Sequence, residues 1–495
     1  MKKIALTTIS LIILLFISCT DDDNKVDPVA DVSLDNEIND FVWKGLNKHY
    51  YWQEDVPNLA DAKKDNINAF NTYLNGESEP KDLFTSLLYK YVGTVGKENA
   101  VDRFSWFIED YEEQNASFRG VNDAFGFEFS LARVSDDSNE VIGYITYVVP
   151  NSPASDAGLK RADIFNVFDG VSLTLDNYKI VNNYYSKNSI SMKFATINNG
   201  NIVSNGKEAS LNLREVTENP VHYASVINIG SKKVGYLVYN GFKYTFHDEL
   251  NAIFGDFKSA GIQELVLDLR YNGGGSVLTS AYLASMIHAG ASTDDVFGKL
   301  IYNSKNSTEN GAYPFFNNAR IYDKEGEYTG SDASINRLSS LSRLYVITSD
   351  NTASASEMII NGLSPYMTVI KVGTTTYGKN VGSFTVYDSP DFGATNVNPN
   401  HKNAMQPITF KIFNKLDQSD YTKGFEPDYE QVEYISDMKP FGDLQEPLLK
   451  VALNHIAGIT PKLQNVKELE LQTEQIFSSF DRKPFSKEMY QISNE

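Results

Sequence analysis

Apolar residues recur at three- and four-residue spacing in two early stretches, residues 38–46 and 83–91. Their members are Ile38, Phe41, Val42, Leu46, Leu83, Phe84, Leu87, Leu88 and Tyr91. This spacing puts apolar side chains on one face of a helix. The sequence therefore predicts a helical N-terminal domain over residues 36–109.

Between residues 110 and 216 the pattern changes to short apolar runs separated by turn residues, including "DAFGFEFS" (123–130) and "GYITYVVPNSPASDAGLK" (143–160). The run continues into "ADIFNVFDG", and this order resembles a PDZ domain. The resemblance implies that Phe125, Gly126 and Phe127 form a loop that binds a peptide's terminal carboxylate, and that the peptide joins the sheet as an added strand. A generic β-sandwich with a short helix is the structural alternative.

Residues 217–458 alternate apolar runs with helical patterns, as in "KKVGYLVYNGF", "FHDELNAIFGDFKSAG", "ELVLDLRYNGGG" and "SVLTSAYLASMIHAG". This alternation predicts an α/β domain whose strands are buried on both faces. Residues 459–495 lean towards helix, with a weak apolar stripe of Val466, Leu469, Ile476, Phe477 and Phe480 that predicts a docked tail. The whole chain is thus predicted to be a multidomain α/β protein.

The first residues are typical of a targeting segment, because Lys2 and Lys3 precede an apolar run that is short for a membrane span. Cys19, the only cysteine, follows directly after Ser18, and the stretch resembles a bacterial lipoprotein signal. We therefore expect a signal peptide at 1–18, a lipid-bearing Cys19 and a flexible tether at 19–35. A buried structural cysteine is the alternative, and an intramolecular disulfide is excluded.

The lipid would hold the protein at the cell envelope, at an outer-membrane, periplasmic or surface face. The acidic run Asp21–Asp23 resembles signals that route some lipoproteins to the surface, and a solvated spacer is the equal alternative. The formal net charge is −20, and loss of residues 1–18 with Lys2 and Lys3 makes it −20 − 2 = −22. Such a charge argues against nucleic acid or acidic lipid as a partner. Attachment to a membrane would come from the lipid.

Two serines in "TASASEM" (352–358) follow an apolar strand and precede a helical pattern. Ser354 or Ser356 would lie at a helix N-terminus, where free amides can stabilise an oxyanion. A structural N-cap is the alternative role. The six histidines are scattered and suggest neither a catalytic base nor a metal site. Lys379 is the better candidate base, provided that burial leaves it neutral.

Lys379 also ends the G-x-x-x-x-G-K run of "KVGTTTYGKN" (371–380), which is close to a phosphate-binding P-loop. That motif places Ser or Thr after the lysine, whereas this chain has Asn380, and the next residues favour a strand over a helix. Nucleotide binding is therefore disfavoured.

Together, "LVLDLRYNGGG" (265–275), "TASASEM" and "VGTTTYGKN" resemble the C-terminal processing peptidases, which are tail-specific Ser/Lys proteases. The resemblance implies a crotonase-like catalytic domain, Ser354 as nucleophile and Lys379 as base, 379 − 354 = 25 residues apart. It implies an oxyanion hole from Ala355 and either Gly274 or Gly275. Many members carry glutamine four residues after the lysine, where this chain has Ser383, a candidate orienter of the lysine.

We therefore predict a serine endopeptidase that cleaves proteins or peptides without metal or organic cofactor and engages substrate C-termini through the PDZ-like domain. Asp268, Arg270 and Glu357 are expected to have structural roles as ion pairs or hydrogen-bonding groups. A non-catalytic, peptide-binding lipoprotein is the alternative from another class. An acyl-CoA enzyme on the same frame would need nucleotide contacts that the sequence does not offer. The sequence leaves the oligomeric state open.

Overall fold

The structure, a computed structural model, describes residues 31–135, 137–198, 201–339, 341–459 and 475–492. The predicted signal peptide, Cys19, Asp21–Asp23, most of the tether, and Val466 and Leu469 lie outside the described residues. Within the described ranges, no helix has the length and apolar character needed to cross a membrane.

The N-terminal domain is helical, as predicted. Its elements are α1 (Glu37–His49), α2 (Ile67–Leu74), α3 (Pro80–Ser86), α4 (Val92–Val95) and strand β1 (Trp106–Ile108). Helix α1 begins where the Asn36 side chain accepts a hydrogen bond from the amide of Ile38. Trp43, Leu46 and Phe84 form the buried core, and Val386 from the last third of the chain packs into the same cluster. The domain is therefore packed against the α/β domain.

A mainly antiparallel sheet dominates the middle of the chain. Its segment comprises α5 (Tyr111–Phe118), β2 (Val121–Ala124), β3 (Phe127–Arg133), β4 (Val141–Val148), α6 (Pro153–Asp156), β5 (Ile164–Phe168), β6 (Val171–Ser172), β7 (Ser189–Asn198), β8 (Asn201–Asn212) and β9 (Arg214–Thr217). Strands β3, β4, β5, β7 and β8 are neighbours in that order, and a 3₁₀ segment at Tyr178–Ser186 packs its Val181 and Tyr184 into their core.

The α/β domain contains the remaining α-helices and most of the strands. Its elements are β10 (Val221–Ile229), β11 (Lys232–Tyr239), α7 (His247–Ala260), β12 (Glu264–Asp268), β13 (Gly275–Ser276), α8 (Val277–Ile287), β14 (Val296–Tyr302), β15 (Gly311–Pro314), β16 (Asn318–Tyr322), β17 (Tyr328–Ser334), β18 (Arg343–Thr348), α9 (Ala355–Leu363), β19 (Thr368–Gly373), β20 (Val381–Ser383), β21 (Val386–Tyr387), β22 (Ala404–Gln406), β23 (Ile408–Phe413), β24 (Tyr429–Glu430) and α10 (Pro447–Ile456).

The central sheet has the order β10-β11-β12-β18-β19-β24, and all its pairs are parallel except β10 with β11. Leu265 and Leu267 of β12 face a core shared with α7, α8 and α9, whereas Val266 faces α10. All five residues of β12 are buried. The predicted α/β domain with strands covered on both faces is confirmed.

The C-terminal segment forms strands where helix was expected. Strand β25 (Gln475–Ser478) pairs with β3, and β26 (Met489–Tyr490) pairs with β13 and β20. The helical interpretation of Ile476 and Phe477 is thus wrong, because this segment satisfies its main-chain groups on two open sheet edges. The prediction that it docks is confirmed for residues 475–492.

Candidate active site

Ser354 lies at the turn between β18 and α9, directly before the first residue of the helix. Its backbone has φ +65° and ψ −117°, a conformation that residues other than glycine rarely adopt. The side chain is buried, and its Oγ has no hydrogen-bond partner among the described residues. The hydroxyl therefore does not cap the helix, which was the structural alternative for this serine.

Ser356 has a different environment. Its hydroxyl donates a hydrogen bond to the Asn272 carbonyl oxygen at 3.1 Å. This bond ties the first turn of α9 to the glycine-rich loop that follows β12. Of the two serines singled out from sequence, Ser356 is held by a structural bond and Ser354 has a free hydroxyl.

Glu357 connects the serine turn to the lysine loop. Its Oε2 accepts hydrogen bonds from the amide of Ser354 at 2.9 Å and from the amide of Lys379 at 2.8 Å. Its Oε1 accepts from the Gly378 amide at 2.8 Å and from the Thr376 hydroxyl at 2.6 Å. Burial raises the pKa of Glu357 to about 7, and these hydrogen bonds act in the opposite direction. The structural role predicted for Glu357 is confirmed.

Lys379 is almost fully buried, with 1% of its surface exposed. Burial lowers the pKa of its ammonium group to about 8, although the Glu488 and Asp102 carboxylates act to raise it. Its Nζ donates a hydrogen bond to the Lys487 carbonyl oxygen at 3.0 Å. No phosphate-binding loop is built here, because the Gly378 and Lys379 amides already donate to Glu357.

The N-terminal domain covers the lysine, which the sequence interpretation missed. The Phe104 ring centre lies 4.8 Å from Lys379 Nζ, and Arg103 donates a hydrogen bond to the Gly378 carbonyl oxygen at 2.5 Å. Asp102 fixes this turn by accepting hydrogen bonds from the amides of Phe104 and Ser105. These residues precede Lys379 by more than two hundred and fifty positions, so no local motif could have pointed to them.

The amides of the glycine-rich loop have different partners. Gly274 donates its amide hydrogen to Asn272 Oδ1 at 2.9 Å, whereas Gly275 donates to the Glu488 carbonyl oxygen at 2.6 Å. A Cβ on Gly274 would lie 2.2 Å from that carbonyl oxygen and 3.0 Å from the Ala355 nitrogen. The Gly275 amide therefore faces this carbonyl oxygen, near the Ala355 nitrogen, whereas the Gly274 amide is bonded within its own loop. The geometry favours Gly275 of the two predicted glycines.

A buried network of ion pairs lies next to the glycine-rich loop. Arg270 pairs with Asp268 at 2.7 Å and with Glu446 at 2.6 Å, and Tyr236 donates a hydrogen bond to Asp268. Glu433 joins the same guanidinium. The ion-pair role predicted for Asp268 and Arg270 is confirmed, and the network fixes the strand end from which the glycines project.

Ser383 does not orient the lysine. Its hydroxyl donates to the Met489 carbonyl oxygen at 3.3 Å and accepts from Gln406 Nε2 at 3.0 Å. That prediction was wrong because Ser383 lies within β20, where its main chain and side chain face β26. The ordering of Lys379 comes instead from Glu357, Phe104 and the Lys487 carbonyl.

Phe125 and Gly126 lie between β2 and β3, and Phe127 is the first residue of β3, the strand whose edge receives β25. Gly126 has φ +82°, and a Cβ there would lie 2.0 Å from the Ser152 Cβ, so only glycine fits. A cavity of about 460 Å³ opens beside the loop and is lined in part by Tyr184 and Lys483. The loop thus adjoins both a cavity and a strand-accepting edge.

Two family profiles match this chain. Peptidase family S41 matches residues 233–431, which include the glycine-rich loop, the serine and the lysine, and the Peptidase S41 N-terminal domain matches residues 37–106. The chain belongs to peptidase family S41.

Known proteins resemble this S41 family member over much of its length. A crystal structure described as an S41 protease from Bacteroides fragilis NCTC 9343 superposes with a TM-score of 0.64 at 27% identity, covering 85% of this chain and 98% of that one. The chloroplastic C-terminal processing peptidase of Tetradesmus obliquus is 24% identical over 49% of this chain and 48% of its own. A protein named as a CtpA-like serine protease from Staphylococcus haemolyticus (strain JCSC1435) is 24% identical over 69% of this chain and 56% of its own. The S41 chain thus spans about half the length of these curated relatives.

Proposed function

We propose that this S41 family member is a serine endopeptidase with Ser354 as nucleophile and Lys379 as general base. One observation carries the proposal: a main-chain carbonyl oxygen, that of Glu488, lies 2.6 Å from the Gly275 amide nitrogen, beside the unbonded Ser354 hydroxyl. A substrate carbonyl in this place would meet the nucleophile and the amides at once.

The nucleophile gains its reactivity from its position. The positive φ of Ser354 directs its hydroxyl away from capping the helix. The first amides of α9 lack partners within the helix and carry the positive end of its dipole, so negative charge developing near them is stabilised. In this proposal, the Ala355 amide and the Gly275 amide share the oxyanion.

The base is the buried amine of Lys379. Because burial lowers its pKa to about 8, a useful fraction of the amine is neutral near neutral pH. The neutral amine accepts the Ser354 hydroxyl proton as Oγ attacks the carbonyl carbon. The resulting ammonium then gives that proton to the leaving amine nitrogen, which frees the first product and leaves an acyl-serine. A water molecule, deprotonated by the same lysine, releases the second product.

The middle domain is proposed to bring the substrate to this site. Its β3 edge accepts an extended chain in antiparallel register, which is how PDZ domains hold peptides. The loop at residues 125–127, which adjoins the cavity, would receive a substrate's terminal carboxylate. Lipid attachment at Cys19 would hold the enzyme at the cell envelope.

A lysine substitution tests the proposal. We expect Lys379→Ala to lose cleavage of an unfolded protein by a factor on the order of 10² or more, because no other group takes its proton role. Cleavage of labelled, unfolded casein would be followed by fluorescence, with circular dichroism as the check on folding. Unchanged cleavage by folded Lys379→Ala would refute the proposed mechanism.

A further inference from the structure

The C-terminal segment, residues 475–492, follows one continuous path from the middle domain to the candidate active site. At its start, β25 pairs with β3 in antiparallel register, with Phe477 opposite Leu131. Ser479 then accepts a hydrogen bond from the Phe129 amide at 3.0 Å and donates one to the Glu128 carboxylate at 2.5 Å. This is the edge on which the proposed function places an external peptide.

Between the two strands the segment crosses over the glycine-rich loop. The Phe480 ring stacks on Tyr271, with 5.6 Å between ring centres and 8° between planes. Lys483 pairs with Glu128 at 3.1 Å and with Glu218 at 3.4 Å. The segment passes the loop at residues 125–127 and continues beyond it. It is therefore held by main-chain and side-chain contacts, and among the described residues no terminal carboxylate takes part.

At the candidate active site, the segment occupies the place that a substrate would need. The Glu488 carbonyl oxygen accepts the Gly275 amide, and the Lys487 carbonyl oxygen accepts Lys379 Nζ. An amide hydrogen that is bonded to Glu488 cannot serve an incoming carbonyl. Lys379, in turn, is bonded to the segment while Ser354 Oγ has no partner among the described residues.

The last described residues of the segment are buried. Met489 and Tyr490 are 0% and 1% exposed. The Tyr490 ring stacks on Phe118 with 3.8 Å between centres, and the Gln491 amide donates to the Ser383 carbonyl oxygen at 3.0 Å. Both side chains would lose apolar contacts if the segment left this position.

We propose that residues 475–492 are a built-in competitor that occupies the substrate path in cis and holds Lys379 away from Ser354. The inference rests on the proposed peptidase function and adds its regulation. Since the segment belongs to the same chain, its effective concentration is on the order of millimolar, and a substrate must displace it. Because Lys379 Nζ is bonded to the Lys487 carbonyl oxygen, it is not placed to accept the Ser354 proton. The segment therefore occupies the active site without being cleaved.

Variants that loosen either end of the segment test this proposal. Tyr490→Ala removes the stack on Phe118, and Phe477→Asp puts a charge on the strand that pairs with β3. Arg482→Ala is the matched control, because Arg482 is an exposed residue of the same segment. We expect kcat/KM on labelled, unfolded casein to rise about fivefold or more in the first two and to stay within about twofold in the control.

Two further measurements keep the test independent of misfolding. A synthetic peptide of residues 475–492, added to Tyr490→Ala, is expected to restore inhibition, which requires a folded enzyme with a vacant cleft. In the full chain carrying Ser354→Ala, hydrogen exchange is expected to show protected Gly275 and Phe129 amides, and Phe477→Asp is expected to reduce that protection.

The outcomes separate the two proposals. Equal kcat/KM in wild type and both loosened variants would overturn the competitor while leaving the peptidase function standing. A second outcome, by intact-mass measurement, is that the wild-type chain loses residues 489–495 and that Ser354→Ala keeps them. That result would show that the enzyme cleaves the segment, and it would overturn the proposal that the segment stays bound uncut. If no form cuts any protein while the amides are protected, the peptidase function fails and the competition fails with it.

Discussion

Glu357 is the residue through which the positions of the two candidate catalytic groups depend on each other. One of its carboxylate oxygens accepts both the Ser354 amide and the Lys379 amide. The other accepts Thr376 and Gly378. A carboxylate satisfies four donors here, whereas a carboxamide has only one oxygen to offer.

We therefore expect Glu357→Gln to lower kcat by about tenfold to a hundredfold, because misplacement of reacting groups by about 1 Å has effects of that size. The free energy of unfolding should fall by about 1–3 kcal/mol, since the new amide nitrogen faces donors. Enzyme kinetics and urea unfolding measure the two effects. Glu264→Gln is the control, because Glu264, the first residue of β12, bonds Arg343 and Lys232 away from the candidate site and should affect stability alone.

The pKa of Lys379 sets the expected pH dependence. An amine with a pKa of about 8 gains its neutral, basic form as pH rises, so kcat/KM should increase through pH 8 and level off above it. Lys379→Arg should be inactive across this range, since guanidinium stays protonated. A pH–rate profile checks this, and an inflection near pH 6.5, where an unperturbed histidine titrates, would speak against lysine as the base.

Single residues were predictable from sequence only where motifs reinforced one another. Ser354 and Lys379 stood out because a serine at a predicted helix start and a glycine-flanked lysine occur together with the glycine-rich loop. Phe104 and Arg103 could not be found, because their contact with the lysine loop exists only after folding. Ser383 was misassigned because spacing along the chain does not determine which neighbour a strand residue faces.

The turn that leads from β12 into β13 shapes the proposed oxyanion site. Gly275 has φ +135°, and a Cβ there would lie 2.3 Å from the Phe242 carbonyl oxygen. Any other residue must move the loop, and with it the amide that faces the bound carbonyl.

Gly275→Ala should accordingly reduce kcat by about 10²–10³, the usual effect of losing one oxyanion donor. The matched control is Gly170→Ala, because Gly170 has φ +78° and open space around its Cα. Steady-state kinetics with thermal unfolding distinguishes the two, since the control shares only the cost of a left-handed backbone. Normal kcat in Gly275→Ala would show that this amide is not needed.

Elements with strong periodicity were predicted well, and the C-terminal segment was not. Helix α1 and strand β12 carry their own pattern of apolar residues, so their type can be read locally. Strands β25 and β26 have only four and two residues, and they exist because β3, β13 and β20 offer unpaired edges. A strand of two to four residues that forms only against distant partners has too few residues to show a strand pattern of its own.

At the scale of the whole molecule, the site is assembled from all parts of the chain. The catalytic domain supplies the serine, lysine and glycine loop, while the N-terminal domain supplies Phe104 over the lysine and Arg103 on the preceding carbonyl. The match of the S41 N-terminal domain profile to residues 37–106 covers these two residues. The N-terminal domain thus contributes directly to the environment of Lys379.

Arg103→Ala should lower kcat several-fold, about 1 kcal/mol in barrier, because the Gly378 carbonyl loses a charge-assisted hydrogen bond. Its positive charge also lowers the pKa of Lys379, so the inflection in the pH profile should move to higher pH. Lys81→Ala removes an exposed ion pair with Glu109 in the same domain and should change neither quantity. An unmoved inflection in Arg103→Ala would show that the domain does not tune the lysine.

If Ser354 attacks the substrate carbonyl, substitution of the two neighbouring serines must have opposite effects on cleavage. Cleavage of unfolded casein should be measured for Ser354→Ala and Ser356→Ala, both in the wild-type chain and with Tyr490→Ala, and products should be mapped by mass spectrometry. We expect Ser356→Ala to cut at the same bonds as the parent chain and Ser354→Ala not to cut. Cleavage that survives in folded Ser354→Ala and disappears in folded Ser356→Ala would contradict it.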